Sequence, residues 1–254
     1  LHTEVHSFPT RRSSDLNRTV AFATVPLGDL KEVRRSFGTT VNDVVLAMCT
    51  TGLRRYLAEH DTLPDRALVC SVPVSVHGEN GHHRSTNQVS NMFVHLPVHL
   101  DEPVEQLRTI HEDTLGAKEV QAAVGANMIG DVVELLPPNL FAWFARQYSR
   151  VGLADRMAPV HNLIVSNVPG APVPLYFAGA EVVGIFPFGP LMEGTGLNIT
   201  VLSGNDRLHI GVIACPELVP HLDELLDGIL DGLTTLSRLA RELDNVVRPS
   251  RMPS

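Results

Sequence analysis

Residues 197–214 constrain this chain more than any other stretch. Two apolar runs, LNITVLS and LHIGVIA, are joined by Gly204-Asn205-Asp206. Such residues accept left-handed backbone, so the pattern predicts a late antiparallel hairpin. Upstream, strand-like and helix-like runs alternate irregularly. A doubly wound parallel sheet does not end this way. The expected class is α/β, an α+β sandwich with a mixed β-sheet flanked by helices. There is no dinucleotide glycine fingerprint and no phosphate-binding loop.

Other elements follow from periodicity. Residues 30–37 read as a short helix opened by Asp29 and closed by Gly38. Thr39-Thr40 cap a second helix carrying Val41, Val44, Val45, Met48, Leu53, Tyr56 and Leu57 at helical spacing. Asp43, three residues after Thr40, predicts a capping box. Residues 67–76 and 88–98 read as strands with an exposed loop between them. Asp101 is expected to cap a helix bearing Val104, Leu107, Ile110 and Leu115. Residues 126–136 and 139–151 read as two more helices. The second carries Phe141, Trp143, Phe144 and Tyr148, a cluster that suits core or a greasy lipid-facing surface. The final helix has a stripe from Leu222 through Leu225, Leu226, Ile229, Leu233 and Leu236 to Leu243.

A second stretch, residues 160–182, reads VHNLIVSNVPGAPVPLYFAGAEV. The run Leu163-Ile164-Val165 is expected to end as a strand at Ser166-Asn167. Pro169, Gly170, Pro172 and Pro174 then predict a rigid turn, since proline fixes φ and glycine permits positive φ. Small polar side chains at such a strand end suit the rim of a cavity, or satisfy only their own turn.

Composition narrows the function. The 254 residues are 44% hydrophobic and 19% charged, with formal net charge -8. An acidic chain without a basic stripe argues against nucleic acid as a partner. No apolar run reaches the roughly 18–20 residues of a membrane-spanning helix, so membrane contact is expected to be peripheral. Cys49, Cys70 and Cys215 lie far apart in apolar runs and read as reduced, buried thiols of a cytoplasmic protein. No metal-ligand spacing occurs. His77, His82 and His83 lack a fourth ligand.

Residues 6–16, HSFPTRRSSDL, resemble the in-frame translation of a sequencing adapter, so residues 1–16 are expected to be a non-native scar. The expected domain is then 17–248, with a tail at 249–254. The native protein is expected to continue upstream.

Several pieces stand in a fixed order: FGTTVNDVVLA from Phe37, SVPVSV from Ser71, NQVSNMFVHLP from Asn87, SNVPG from Ser166, PVPLYFAGA from Pro172, and LNITVLSGNDRLHIGVIAC from Leu197. Together they resemble the C-terminal half of the bacterial wax ester synthase/diacylglycerol acyltransferase family, over nearly all of the chain after residue 20. The resemblance implies half of a chloramphenicol-acetyltransferase or condensation-domain fold. It implies transfer of a fatty acyl group from acyl-CoA, a co-substrate, to diacylglycerol or a long-chain fatty alcohol, with no bound cofactor. It implies contact with the inner face of the plasma membrane or with lipid droplets. In that family a His of an HHxxxDG motif in the N-terminal half is the general base. His82-His83 is followed by Asn87 and Gln88 where Asp and Gly would stand, so no catalytic residue is expected in this chain, and its partner is the missing N-terminal half.

The resemblance also assigns the remaining candidates. Asn42 and Asp43 match an Asn-Asp motif that either caps its helix or supports the active-site His. Ser166, Asn167, Pro169 and Gly170 become a channel wall, with Ser166 and Asn167 either donors to the thioester oxygen or partners of their own turn. Asn87 and Asn91 bracket a strand start, Asn87 fixing its loop. Two other readings are a non-catalytic lipid- or protein-binding half-domain and a condensation-type acyltransferase using a carrier protein.

Overall fold

The computed structural model describes residues 17–75, 89–124, 161–191 and 195–247. Strand β1 is Thr19–Pro26, helix α1 Leu27–Phe37 and helix α2 Val41–Glu59. Then come β2, Leu68–Ser75, β3, Val89–Leu96, and α3, Pro103–Val124. After these stand β4, Leu163–Pro169, the short β5, Tyr176–Phe177, and β6, Ala180–Glu181. Strands β7, Leu197–Gly204, and β8, Arg207–Ala214, precede the last helix, α4, Leu222–Val247.

Six strands form one mixed sheet in the order β1-β8-β7-β4-β2-β3. The β7–β8, β1–β8 and β2–β3 pairs are antiparallel, whereas β4 is parallel to both β7 and β2. The expected hairpin is present. Asn205 and Asp206 turn it with φ of 46° and 60°, the left-handed pair that matches the strand twist.

Strand alternation assigns the two faces. Leu208, Ile210 and Val212 of β8, Ile199 and Val201 of β7, and Leu163 and Val165 of β4 share a single core with all four helices. Burying each such side chain contributes about 1.5–3 kcal/mol. Helix α2 is the centre of that layer, because every residue from Asp43 to Thr50 is buried. It touches α1, α3 and α4. Gly52 lets α4 approach closely: a Cβ there would lie 2.6 Å from the Ile229 amide nitrogen.

Some sequence expectations need correction. β1 carries no pattern that sets it apart as a strand, yet it pairs with the whole length of β8. Helix α1 begins at Leu27, not at Leu30, and Pro26 caps it without a side-chain bond. Asp29 therefore lies inside the first turn. Asp101 pairs with Arg54, and the helix it was expected to cap begins at Pro103. Leu115 is exposed. β4 does not stop at Ser166-Asn167; both pair with β7, and the strand runs to Pro169. Parallel partners extend it past the point where proline signals a break, because only its last residue lacks the amide. The helices expected at 126–136 and 139–151, with the Phe141–Tyr148 cluster, lie outside the described residues.

Candidate functional site

The capping box at the start of α2 forms as expected. The Thr40 hydroxyl accepts from the Asp43 amide, and the Asp43 carboxylate accepts from the Thr40 amide at 2.9 Å. Asp43 is fully buried. It also accepts from the Thr114 hydroxyl at 2.9 Å and contacts His111 Nδ1 at 2.8 Å. One carboxylate thus caps α2 and ties α3 to it. Charge at a helix N-terminus is favourable, and every partner here donates. Asn42, beside it, is half-buried.

Residues 60–67 turn the chain from α2 back into β2. The N-terminus of α2 and the C-terminal ends of β2, β4 and β7 therefore lie on one side of the domain. Ligands of sheet proteins commonly meet strands at that edge. The second candidate group is there, at the end of β4. Ser166 pairs in register with Thr200 and Asn167 with Val201. Neighbours on a strand point to opposite faces, so Asn167 faces the helix layer and Ser166 the opposite side. Both are half-buried. Among the described residues neither side chain has a hydrogen-bond partner.

Pro169 is exposed and pairs with Ser203. Gly170 is outside the left-handed region that glycine permits. Its reason is close approach: its amide donates to the Ser203 carbonyl at 2.6 Å, and a Cβ would lie 2.5 Å from that oxygen.

The sheet face away from the helices carries a polar row that the sequence reading missed. Asn198 and Thr200 are buried, and the Thr200 hydroxyl donates to Asn198 Oδ1 at 2.8 Å. Asn198 Nδ2 donates to the Pro190 carbonyl at 3.1 Å. That bond holds an arm, residues 184–191, across β7 and β8. Gly211 is the arm's seat, since a Cβ there would strike the Pro187 carbonyl. Phe186 packs edge-on against His209 and lies 4.5 Å from the Phe22 ring. His209 Nδ1 is 2.9 Å from the Thr24 hydroxyl. Burial, then the nearby Arg207 charge, lowers the His209 pKa. His161 is likewise lowered by burial; its Nε2 is 3.1 Å from the Thr195 hydroxyl. Polar residues at every second position of LNIT were the available signal.

Asn91 is exposed on β3, opposite Pro73. Asn87, His77, His82 and His83 lie outside the described residues. Among the described residues, no cluster of three or more His, Cys, Asp or Glu side chains could hold a metal. Among those residues no helix is long and apolar enough to cross a membrane. The three cysteines are free and buried.

The family model described as the WS/DGAT C-terminal domain matches residues 85–237. The chain belongs to the WS/DGAT family. A Mycobacterium tuberculosis relative named as a diacylglycerol O-acyltransferase is 38% identical over 219 residues, covering 86% of this chain and 43% of that protein. The O-acyltransferase WSD of Acinetobacter baylyi is 31% identical, over 83% of this chain and 44% of its own. The solved wax ester synthase/diacylglycerol acyltransferase of Marinobacter aquaeolei VT8 superposes with a TM-score of 0.67 at 31% identity, over 88% of this chain and 49% of that one. The epimerization domain of tyrocidine synthetase B shares the fold at 12% identity, with a TM-score of 0.55 over 93% of this chain and 52% of that one. The mixed sheet with its helices is thus the WS/DGAT and condensation-domain architecture. The WS/DGAT chain described here spans about half the length of the curated relatives it matches.

Proposed function

We propose that this chain supplies the C-terminal half of an O-acyltransferase that moves a fatty acyl group from coenzyme A to the hydroxyl of diacylglycerol or a long-chain alcohol. In this reading a His of an HHxxxDG motif, on an N-terminal half, removes the acceptor's proton. The alkoxide attacks the thioester carbonyl, the C–S bond breaks, and the proton passes to the leaving coenzyme A thiolate. The carrying observation is Asn167, a half-buried amide at the C-terminal end of a central strand with no hydrogen-bond partner among the described residues. It is free to donate where negative charge develops on the thioester oxygen. Ser166, on the other face, is a channel-wall residue. Asn42 and Asp43, at the same edge, hold the rim in place and support the base. Acyl-CoA is a co-substrate and no resident cofactor is invoked. Contact with lipid is peripheral.

The test is Asn167→Ala in the intact enzyme, assayed with acyl-CoA and with an acyl carrier protein as alternative donors. The expected loss in turnover with acyl-CoA is about 10²–10³-fold. Turnover within a factor of a few of the parent would remove Asn167 from the mechanism. Faster transfer from the carrier protein would move the enzyme to the condensation type.

A further inference from the structure

A cleft of about 180 Å³ opens between the chain after β4 and the β7–β8 hairpin. Its walls are Val173, Leu175, Val183, Ile185 and Leu202. Apolar walls are normally closed by collapse, yet Val173, Leu175, Val183 and Ile185 all remain exposed, Val183 at 85%. The backbone holds the cleft open. The Gly170 amide donates to the Ser203 carbonyl at 2.6 Å, and the Val182 amide to the Leu175 carbonyl at 2.8 Å. Pro172 and Pro174 stiffen the segment between those two bonds. A single water needs roughly 10–15 Å³, so the space suits a chain of several carbons.

The polar end has its own character. Buried His209 lines the cleft, with its Nδ1 2.9 Å from the Thr24 hydroxyl. Arg207, two residues before it on β8, lines the same cleft and is exposed, with no side-chain ion pair or hydrogen bond among the described residues. Glu181 stands on the same lining and forms no ion pair with Arg207 among the described residues. A guanidinium presents a fork of donors that fits a carboxylate. We propose that this cleft binds the free carboxylate form of a single aliphatic chain, a fatty acid, with Arg207 on the carboxylate and the chain along Val183, Ile185 and Leu202. This site stands on the geometry of the present chain and does not depend on acyl transfer.

The test is calorimetric titration of the full 254-residue chain with dodecanoate below its micelle concentration, and with dodecanol as the uncharged control. Saturable one-to-one binding of dodecanoate, about tenfold tighter than dodecanol, is expected. Arg207→Gln should lower dodecanoate affinity about tenfold and leave dodecanol unchanged. Ile185→Trp, which fills the cleft, should abolish both, with the thermal midpoint showing that the variant is folded. Absence of saturable binding, or an Arg207→Gln variant with parental preference for the acid, overturns the proposal. Retained binding by folded Ile185→Trp overturns the location. Loss of transferase activity in Asn167→Ala bears on none of these readouts.

Discussion

His111 Nδ1 lies 2.8 Å from Asp43 Oδ2, joining the middle of α3 to the first turn of α2. A carboxylate oxygen accepts, so the contact is a hydrogen bond in the tautomer that places the proton on His111 Nδ1. The same carboxylate holds the Thr40 amide and the Thr114 hydroxyl. Three donors from two helices meet on one buried group.

Asp43→Ala should accordingly cost about 2–4 kcal/mol, from a lost cap and donors left without their acceptor. Denaturant unfolding of the chain measures it. A loss below about 1 kcal/mol would mean that water or rearrangement replaces the carboxylate. In the intact enzyme, Asp43→Asn separates the two roles of this residue: lower specific activity of the folded fraction marks support of the base, and a lower melting temperature alone marks the cap.

The close approach of α2 and α4 predicts an effect of a single methyl group. Gly52→Ala would place a carbon against the Ile229 amide and side chain, backbone that cannot move without shifting a helix. The expected destabilisation is about 1–3 kcal/mol, read from the unfolding midpoint. An unchanged midpoint would show that the helices separate freely.

The arm across the open face depends on Asn198. Asn198→Ala removes the bond to the Pro190 carbonyl and the acceptor for Thr200, at a cost of about 1–2 kcal/mol. Limited proteolysis should cut within residues 184–191 faster in the variant than in the parent. Equal cleavage rates would assign the arm's placement to Gly211 and Phe186 alone.

His161 and His209 both have pKa values lowered by burial. Between the folded value and the ordinary value near 6.5, the unfolded chain binds more protons, so stability rises with pH. It is fully present above about 6.5 and declines as pH falls below it. Thermal midpoints should therefore fall between pH 7.5 and 5.5, and the His161→Gln/His209→Gln variant should show a shallower fall. An identical slope in the variant would remove these rings as the cause.

Burial raises the Cys49 thiol to about 12 and pushes Cys70 up as well. Thiolate is the reactive form. Neither should react with iodoacetamide at pH 8 in the native chain, whereas both should react on unfolding. Native-state labelling at either position, mapped by mass spectrometry, would show an open core.

Local chemistry carried much of this chain in legible form. Thr40 and Asp43 announced a capping box because the bonds span three residues. Asn205 and Asp206 announced the hairpin because a two-residue turn needs left-handed backbone. The apolar stripe of α4 announced its buried face from Leu222 to Ala240, whereas Leu243, expected in the same stripe, is exposed. These are short-range requirements, and neighbours in sequence meet them. The order of motifs from Phe37 to Cys215 is a different kind of signal, a resemblance to the WS/DGAT family carried by the pieces together.

Tertiary structure decided the rest. β1 looks ordinary as a peptide and becomes a strand because β8 offers it an edge. β4 passes through Ser166 and Asn167 to Pro169 because β7 continues beside it, which sends those two side chains to opposite faces. Gly170 and Gly211 are required by backbones far away in sequence, not by their own φ. Asp43 found His111 and Thr114 only once α3 folded against α2. Each of these depends on groups separated by tens of residues, and only packing brings them within hydrogen-bond or van der Waals distance.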